Sequence, residues 1–356
     1  MRVLIIHPKF TERGGAERKI LLIANKLVEL GHYVHIVTFE LNKAKTFNEL
    51  ITDHINITTL KKWKGFIPKL VIFISIMRII LNTKYDAHIA SNYPANLFIN
   101  IRTKNRIWIC NEVALLIFER KKVLWAIYLK LEIYINTFFK IVIVNSQNTY
   151  DKFTQRYKVK TKIVYPGLDT KYLDNLPQLK RKEKNLYKYF LVLGRIEKHK
   201  NIDFILEIAQ NLPKNINLVV AGTGAYKEKI MQLSSKYQNV LFLGEVTEIE
   251  KKSLYIDCLA YLFLPIDEPF GVTVIEALYF GCNVIAFNVG GPKEIINNKF
   301  LGRLCEDRKE YLLEIEKFNY PNEESSYIKE YRKSYIKEKF SLDKMLVNII
   351  QEIMIN

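Results

Sequence analysis

Cysteine is scarce in this chain: Cys110, Cys258, Cys282 and Cys305 are the four present in 356 residues, and no two form a Cys-x-x-Cys pair. Such spacing fits a reducing compartment and argues against a disulfide framework or a zinc site. Histidine offers no metal pair either, because His32 and His35 lie three apart in a stretch of strand character, where they face opposite sides. Long apolar runs are missing. The most membrane-like stretch, 66–81, is interrupted by Lys69 and Arg78 and is shorter than a spanning helix requires. Met1-Arg2 leads straight into a strand, so no leader peptide is expected. Internal repeats, low-complexity tracts and any recognisable nucleic-acid-binding module are also lacking, which sets nucleic acid aside as a partner.

What is present describes a globular protein, with 49% hydrophobic and 26% charged residues and a length that suits two domains with separate cores. Acidic residues are sparse in one half only. Residues 1–170 hold 27 Lys and Arg against 12 Asp and Glu, a balance of +15, whereas 171–356 hold 27 against 25, a balance of +2. A basic first domain is drawn to anionic surfaces. Bulky apolar residues interleave with the basic ones in Lys62-Trp63-Lys64-Gly65-Phe66-Ile67-Pro68-Lys69 and Arg120-Lys121-Lys122-Val123-Leu124-Trp125, which favours the inner face of a cell membrane as a peripheral docking surface. A lysine- and isoleucine-rich coding bias with no lipid partner gives the same composition.

Strand and helix patterns alternate along the chain. Strands are expected over 2–6, 33–39, 55–60, 87–91, 106–110 and 140–145, with a loop over 8–15 and helices over 16–30, 67–81, 95–101, 118–138 and 148–157. A polar stretch, 169–188, reads as a linker. The alternation then resumes with strands over 189–193, 218–221, 240–243 and 259–264, a helix over 201–212, and two helices in the tail from 323 onward. Alternation of this kind implies doubly wound parallel sheets covered on both faces. The expected domains are 1–170, 171–338 and a closing helix over 339–356 that returns to the first domain.

One stretch has the character of a site. The apolar strand over 259–264 runs into Glu268-Pro269-Phe270-Gly271-Val272, which opens a helix that Gly281 stops. The first N–H groups of that helix, around Phe270, Gly271 and Val272, have no partner within it and carry its positive dipole end, which suits an anion. Glu268 in the turn and Glu276 two turns on add acceptors for hydroxyls. Taken bare, such a Glu pair is more often an acidic surface turn. Upstream, Gly194-Arg195-Ile196-Glu197-Lys198-His199-Lys200-Asn201 follows a strand. There Arg195 can grip two phosphate oxygens and Lys200 adds a compact charge, although a solvated basic loop is the ordinary alternative. Gly14-Gly15, Gly222-Thr223-Gly224 and Gly244-Glu245-Val246 are further glycine turns, at a helix start or at strand ends, and none is a G-x-G-x-x-G fingerprint.

Together these segments resemble glycosyltransferase family four, the retaining glycosyl transferases group 1. Glu268 and Glu276, within Glu-Pro-Phe-Gly-x-x-x-x-Glu, resemble the family's paired glutamates. Gly14-Gly15-Ala16-Glu17 resembles its GGAE loop, Gly194 to Asn201 its GR-(L/I)-x-x-x-KG loop with Asn201 at the last glycine, and Val289-Gly290-Gly291-Pro292-Lys293-Glu294 its GG-x-x-E segment. Tyr165-Pro166-Gly167-Leu168-Asp169 resembles the segment that closes the first domain. Cys110-Asn111-Glu112 stands where many members carry a histidine, which is absent here, and Glu112 or Asn111 is a candidate for its role.

The resemblance implies a GT-B architecture, two Rossmann-like doubly wound domains facing a cleft. It also implies retaining transfer of a sugar from a nucleotide-diphosphate sugar to an acceptor, a glycan or lipid-linked glycan precursor, without a metal cofactor. Arg195, Lys200 and the helix start at Phe270–Val272 would meet the diphosphate, Glu268 the sugar hydroxyls and Glu276 the ribose. Gly194, Gly222 and Gly244 would approach the nucleotide, and Gly14 and Gly15 the phosphates from the first domain. A catalytically silent binding module, or an epimerase- or phosphorylase-like enzyme on the same fold, stands as the alternative.

Overall fold

Val3, Leu4, Ile5 and Ile6 are completely buried, as a central parallel strand covered by helices on both faces demands. In the computed structural model the described residues are 1–60, 76–80, 82–112, 130, 132–179, 188–213, 215–318 and 325–355. Contacts divide them into unit 1, Met1–Pro166 with Asp343–Asn356, and unit 2, Gly167–Leu342. The interleaved basic and apolar runs at 62–69 and 120–125 lie outside the described residues, as does most of the helix expected over 67–81 and the first part of that over 118–138.

In unit 1, β1 (Arg2–Phe10), β2 (Tyr33–Leu41), β3 (Ile55–Thr59), β4 (Ala87–Ser91), β5 (Asn105–Cys110), β6 (Ile141–Val144) and β7 (Thr161–Ile163) form one parallel sheet. Its order is β3-β2-β1-β4-β5-β6-β7, so the winding reverses between β1 and β4. Helices α1 (Gly15–Glu29) and α2 (Gln147–Arg156) pack on it. Strand β1 continues where a loop is expected from Pro8. The ladder passes over Pro8, which has no N–H to give, and resumes with Lys9 opposite Glu40 and Phe10 opposite Leu41. The helix expected over 95–101 is a single 3-10 turn, Ala95–Leu97. Side chains take over the backbone beyond it: the Asn100 N–H donates to His88 Nδ1, and that of Arg102 to the Asn100 side chain. His32 lies just ahead of β2 rather than within it, beside the Met1 amino group.

In unit 2, the stretch that reads as a linker opens with α3 (Thr170–Asn175), whose first turn is capped by the Asp169 carboxylate accepting from the Tyr172 N–H at 3.0 Å. The strands are β8 (Lys188–Leu193), β9 (Ile216–Ala221), β10 (Val240–Gly244), β11 (Tyr261–Phe263), β12 (Val284–Phe287) and β13 (Gly302–Cys305). They are parallel in the order β10-β9-β8-β11-β12-β13, reversing between β8 and β11. Around them stand α4 (Phe204–Asn211), α5 (Lys227–Lys236), α6 (Glu248–Asp257), α7 (Val272–Tyr279), α8 (Gly291–Ile295), α9 (Arg308–Glu316) and α10 (Ser326–Lys339). The last helix, α11 (Leu342–Met354), buries Met345, Leu346, Ile349, Ile350 and Ile353. From Asp343 it belongs to unit 1, where Glu352 pairs with Lys162 at 2.6 Å and the Asn105 side chain donates to the Ile353 carbonyl. The unit boundary falls at Gly167 and at Leu342 because Leu168 is tied to that end of unit 2. It bridges to Ser341, donates its N–H to the Phe340 carbonyl and accepts from the Leu342 N–H.

Folding also joins what the sequence keeps apart. All four cysteines are free thiols, yet Cys258 and Cys282 bring their Sγ atoms to 3.1 Å.

Candidate functional site

Open parallel sheets bind ligands outside the carboxyl ends of their strands, at the point where strand order reverses. In unit 2 that point lies between β8 and β11. The loop leaving β8 carries Gly194, Arg195 and Lys200, and the turn leaving β11 carries Glu268 and the start of α7. The structure joins the two. Lys200 Nζ lies 2.5 Å from Glu268 Oε2, with the side chains 16% and 23% exposed. Arg195 is exposed and meets Glu197 at 3.5 Å, so its guanidinium is available to an incoming anion. Asn201 adopts φ +56°, which explains why a glycine suits this position in related loops. Its side chain donates to the Leu264 carbonyl at 3.1 Å, fixing the β8 loop to the end of β11.

Three glycines finish neighbouring strands at this edge: Gly194 after β8, Gly222 after β9 and Gly244 at the end of β10. At Gly222, with φ +132°, a Cβ would fall 1.8 Å from the Gly194 carbonyl oxygen. Only a glycine lets these turns approach so closely. Gly271 takes φ +97° as it caps α7, and Phe270 beside it is buried while Val272 is exposed on the first turn. The turn is held from behind. The Gly291 N–H donates to the Glu268 carbonyl at 2.9 Å, and a Cβ on Gly291 would lie 2.0 Å from the Phe270 carbonyl oxygen. The Gly-Gly segment thus serves as the floor on which the Glu268–Phe270 turn rests.

Glu276, further along α7, is buried and pairs with Lys251 of α6 at 3.2 Å. Sequence reasoning missed Lys251. It also missed Tyr261, whose hydroxyl lies 2.9 Å from the Leu193 carbonyl and 2.8 Å from Thr273 Oγ1, linking the end of β8 to the first turn of α7. A tyrosine inside an otherwise wholly apolar run, 259–264, was the available signal for it, since a buried phenol needs a polar partner.

In unit 1 the reversal falls between β1 and β4, and His7 Nδ1 spans it to Ser91 Oγ at 3.1 Å. Glu17, in the first turn of α1, folds back over Gly14 and lies 3.9 Å from His7 Nε2. Burial works against ionisation of Glu17, but His7 and a backbone hydrogen bond outweigh it and hold the carboxyl below its ordinary range. Gly15 has open space around its Cα. Lys19, buried on the inner face of α1, donates to Asn111 Oδ1 at 2.8 Å. Burial draws its ammonium down to about 8. Asn111 also donates through its N–H and side chain to the Asn92 side chain, and Asn92 takes φ +58°, an uncommon conformation for a residue other than glycine. Glu112 is exposed, and its backbone carbonyl accepts from the Cys110 thiol. Asn111 rather than Glu112 is therefore the member of Cys110-Asn111-Glu112 drawn into the polar cluster. A lysine set among Ile20, Ile23 and Leu27 was the sequence signal for Lys19.

The chain is similar to known proteins. Residues 13–172 match the model for Glycosyltransferase Family 4, and residues 177–335 that for Glycosyl transferases group 1. The chain is 28% identical over 393 residues to the alpha-1,3/1,6-mannosyltransferase ALG2 of Mus musculus, covering 96% of this chain and 93% of that protein. It is 27% identical to the Homo sapiens protein of the same name, over 89% and 86%. Among solved structures, Anabaena Alr3699/HepE in complex with UDP superposes with a TM-score of 0.78 at 18% identity, over 99% of both chains. That likeness shows the fold, the GT-B architecture of two Rossmann-like sheets.

Proposed function

The chain belongs to glycosyltransferase family four, and from that premise we propose that it moves a mannosyl unit from a nucleotide-diphosphate sugar to a lipid-linked glycan precursor, with retention at the sugar carbon. The observation that carries the donor half is the convergence of Arg195, Lys200 and the first turn of α7 at the β8–β11 reversal, where Lys200 is already within 2.5 Å of Glu268. Fixed positive groups aimed at a departing diphosphate stabilise its developing charge without reorganising, and in many transfer reactions this stabilisation supplies most of the rate enhancement. Glu268 would hold sugar hydroxyls, Glu276 the ribose, and Gly194, Gly222 and Gly244 would admit the nucleotide close to the backbone. No metal has a part in this scheme.

The mannosyl assignment rests on the names of the relatives in mouse and human. The acceptor is assigned to unit 1. The balance of +15 over residues 1–170 suits a diphosphate-bearing lipid in an anionic membrane surface, met by peripheral docking from the cytoplasmic side. Among the described residues no helix is long and apolar enough to cross a membrane. The cluster of His7, Glu17, Lys19, Asn92 and Asn111 would face the acceptor hydroxyl, with Lys19 and Asn111 joined at its centre.

The test is a transfer assay with nucleoside-diphosphate mannose and a polyprenyl-diphosphate-linked oligosaccharide in vesicles. Nucleoside diphosphate should be released only when the acceptor is present, with an alpha-linked mannose added to it. Release that is independent of acceptor, or no transfer from any nucleoside-diphosphate mannose, would overturn the proposal.

A further inference from the structure

The capping box of α6, in which Thr247 and Glu250 exchange hydrogen bonds, fixes the first turn of that helix and with it the position of Lys251. Lys251 Nζ sits 3.2 Å from Glu276 Oε2 and 2.9 Å from Glu248 Oε2. The Lys251 and Glu276 side chains are 13% and 10% exposed, whereas Glu248 is at the surface with 42%. Burial alone would lower the Lys251 ammonium, but Glu276 and then Glu248 outweigh it and raise it above its ordinary value. The two oxygens of Glu276 are not equivalent. Oε2 lies 3.2 Å from Lys251 Nζ and 3.5 Å from the Tyr255 hydroxyl, which the Thr273 carbonyl shares at 3.4 Å, while Oε1 accepts from Lys251 at 3.3 Å and has that one contact among the described residues. A carboxylate oxygen accepts two hydrogen bonds, so Oε1 retains a lone pair for a ligand hydroxyl.

A buried ion pair is a weak stabiliser compared with a well-packed apolar pair of the same size, so its presence asks for another reason. We propose that Lys251 is a positioning residue for the donor, holding the Glu276 carboxylate with Oε1 directed to the ribose hydroxyls of the nucleotide. This rests on the reading of Glu276 as the ribose partner. Tyr255 supports the arrangement from the next turn of α6, packed edge-on against Tyr261 with ring centroids 5.4 Å apart. Lys251 follows closely on the Gly244 turn, and Glu276 stands on the helix whose first turn faces the diphosphate, so one rigid wall would carry both recognition elements.

The experiment is calorimetric titration of the full chain with UDP, GDP and ADP and with their 2′-deoxy and 3′-deoxy counterparts. A site built to bond a hydroxyl rejects the analogue lacking it, so the wild-type chain should bind one ribonucleotide at least about tenfold more tightly than its deoxy forms. Lys251→Met should bring that ratio below about threefold, and Lys251→Arg should restore part of it. If Lys251→Met does not fold, Lys251→Gln is measured against the same ratios. A preference lost in Glu276→Gln but fully kept in Lys251→Met or Lys251→Gln would overturn the role of Lys251 and leave that of Glu276 intact. A wild-type chain that binds a ribonucleotide and its deoxy forms equally would overturn both.

Discussion

Lys200→Ala is expected to lower kcat/KM for the nucleotide sugar by about a thousandfold, close to 4 kcal/mol of transition-state stabilisation. Two effects add. The diphosphate loses a compact positive charge, and Glu268, which Lys200 meets at 2.5 Å, is left as a negative group where a second anion must bind. Stability should change by no more than about 1 kcal/mol, because a partly exposed ion pair contributes little to folding. Lys200→Arg should recover part of the rate, since a guanidinium keeps the charge but not the compact geometry. Steady-state kinetics with denaturation of the same samples separates the two effects. A loss below about tenfold with a folded protein would remove Lys200 from the site.

Lys19→Met should do the opposite to stability. Its ammonium is held at about 8, against 10.5 for an unperturbed lysine, because it is buried on the inner face of α1. The folded-state value lies below the unfolded one, so the unfolded chain binds this proton more tightly and stability rises with pH between about 8 and 10.5. At neutral pH the buried charge therefore costs about 3 kcal/mol. Leaving Asn111 without its donor returns about 1 kcal/mol of that, so Lys19→Met should be more stable than wild type by about 2 kcal/mol at pH 7. The gain should fade as pH approaches 10.5. Transfer activity should fall at least about tenfold in the same variant, because groups that lower stability where a sheet binds ligands are retained for function. Urea denaturation across pH, paired with the transfer assay, reads both. A variant as active as wild type would make Lys19 a packing residue.

Much of the candidate site's geometry was legible because it is local in sequence. Glu268 to Glu276 is a turn followed by a helix, and the helix start needs no distant residue to present its N–H groups. Gly194 to Lys200 follows a strand and was readable for the same reason. The alternation of strands and helices likewise pointed to both parallel sheets, since a fully buried run such as Val3–Ile6 has few other places to go. Asn201 was a departure from the glycine of related loops that the backbone accounts for, with φ +56°.

What escaped the sequence depends on contacts between distant residues. Lys251 looks like one lysine in a charged helix until folding brings it to Glu276. Tyr261 tethers Leu193 and Thr273, 68 and 12 residues away, and its place in an apolar run signals a polar partner without saying which. In unit 1 the missing histidine made Glu112 or Asn111 a candidate for its role. Of the two the structure engages Asn111, through a lysine 92 residues earlier. The 3-10 turn at Ala95–Leu97 differs from the expected helix for a related reason, because asparagine side chains and His88 displaced the hydrogen bonds that a helix there would have used.

The donor site in unit 2 is tested most directly by thermal unfolding of the wild-type chain and Arg195→Ala with UDP, GDP and ADP, in EDTA. Ligand at a hundred times its dissociation constant stabilises a protein by about 2.7 kcal/mol, enough to raise the transition by roughly 5 °C or more. Such a rise is expected with one of the three nucleotides in wild type, without metal, and should be lost in Arg195→Ala. No rise with any of them, or an equal rise in both proteins, would contradict a diphosphate site built on Arg195.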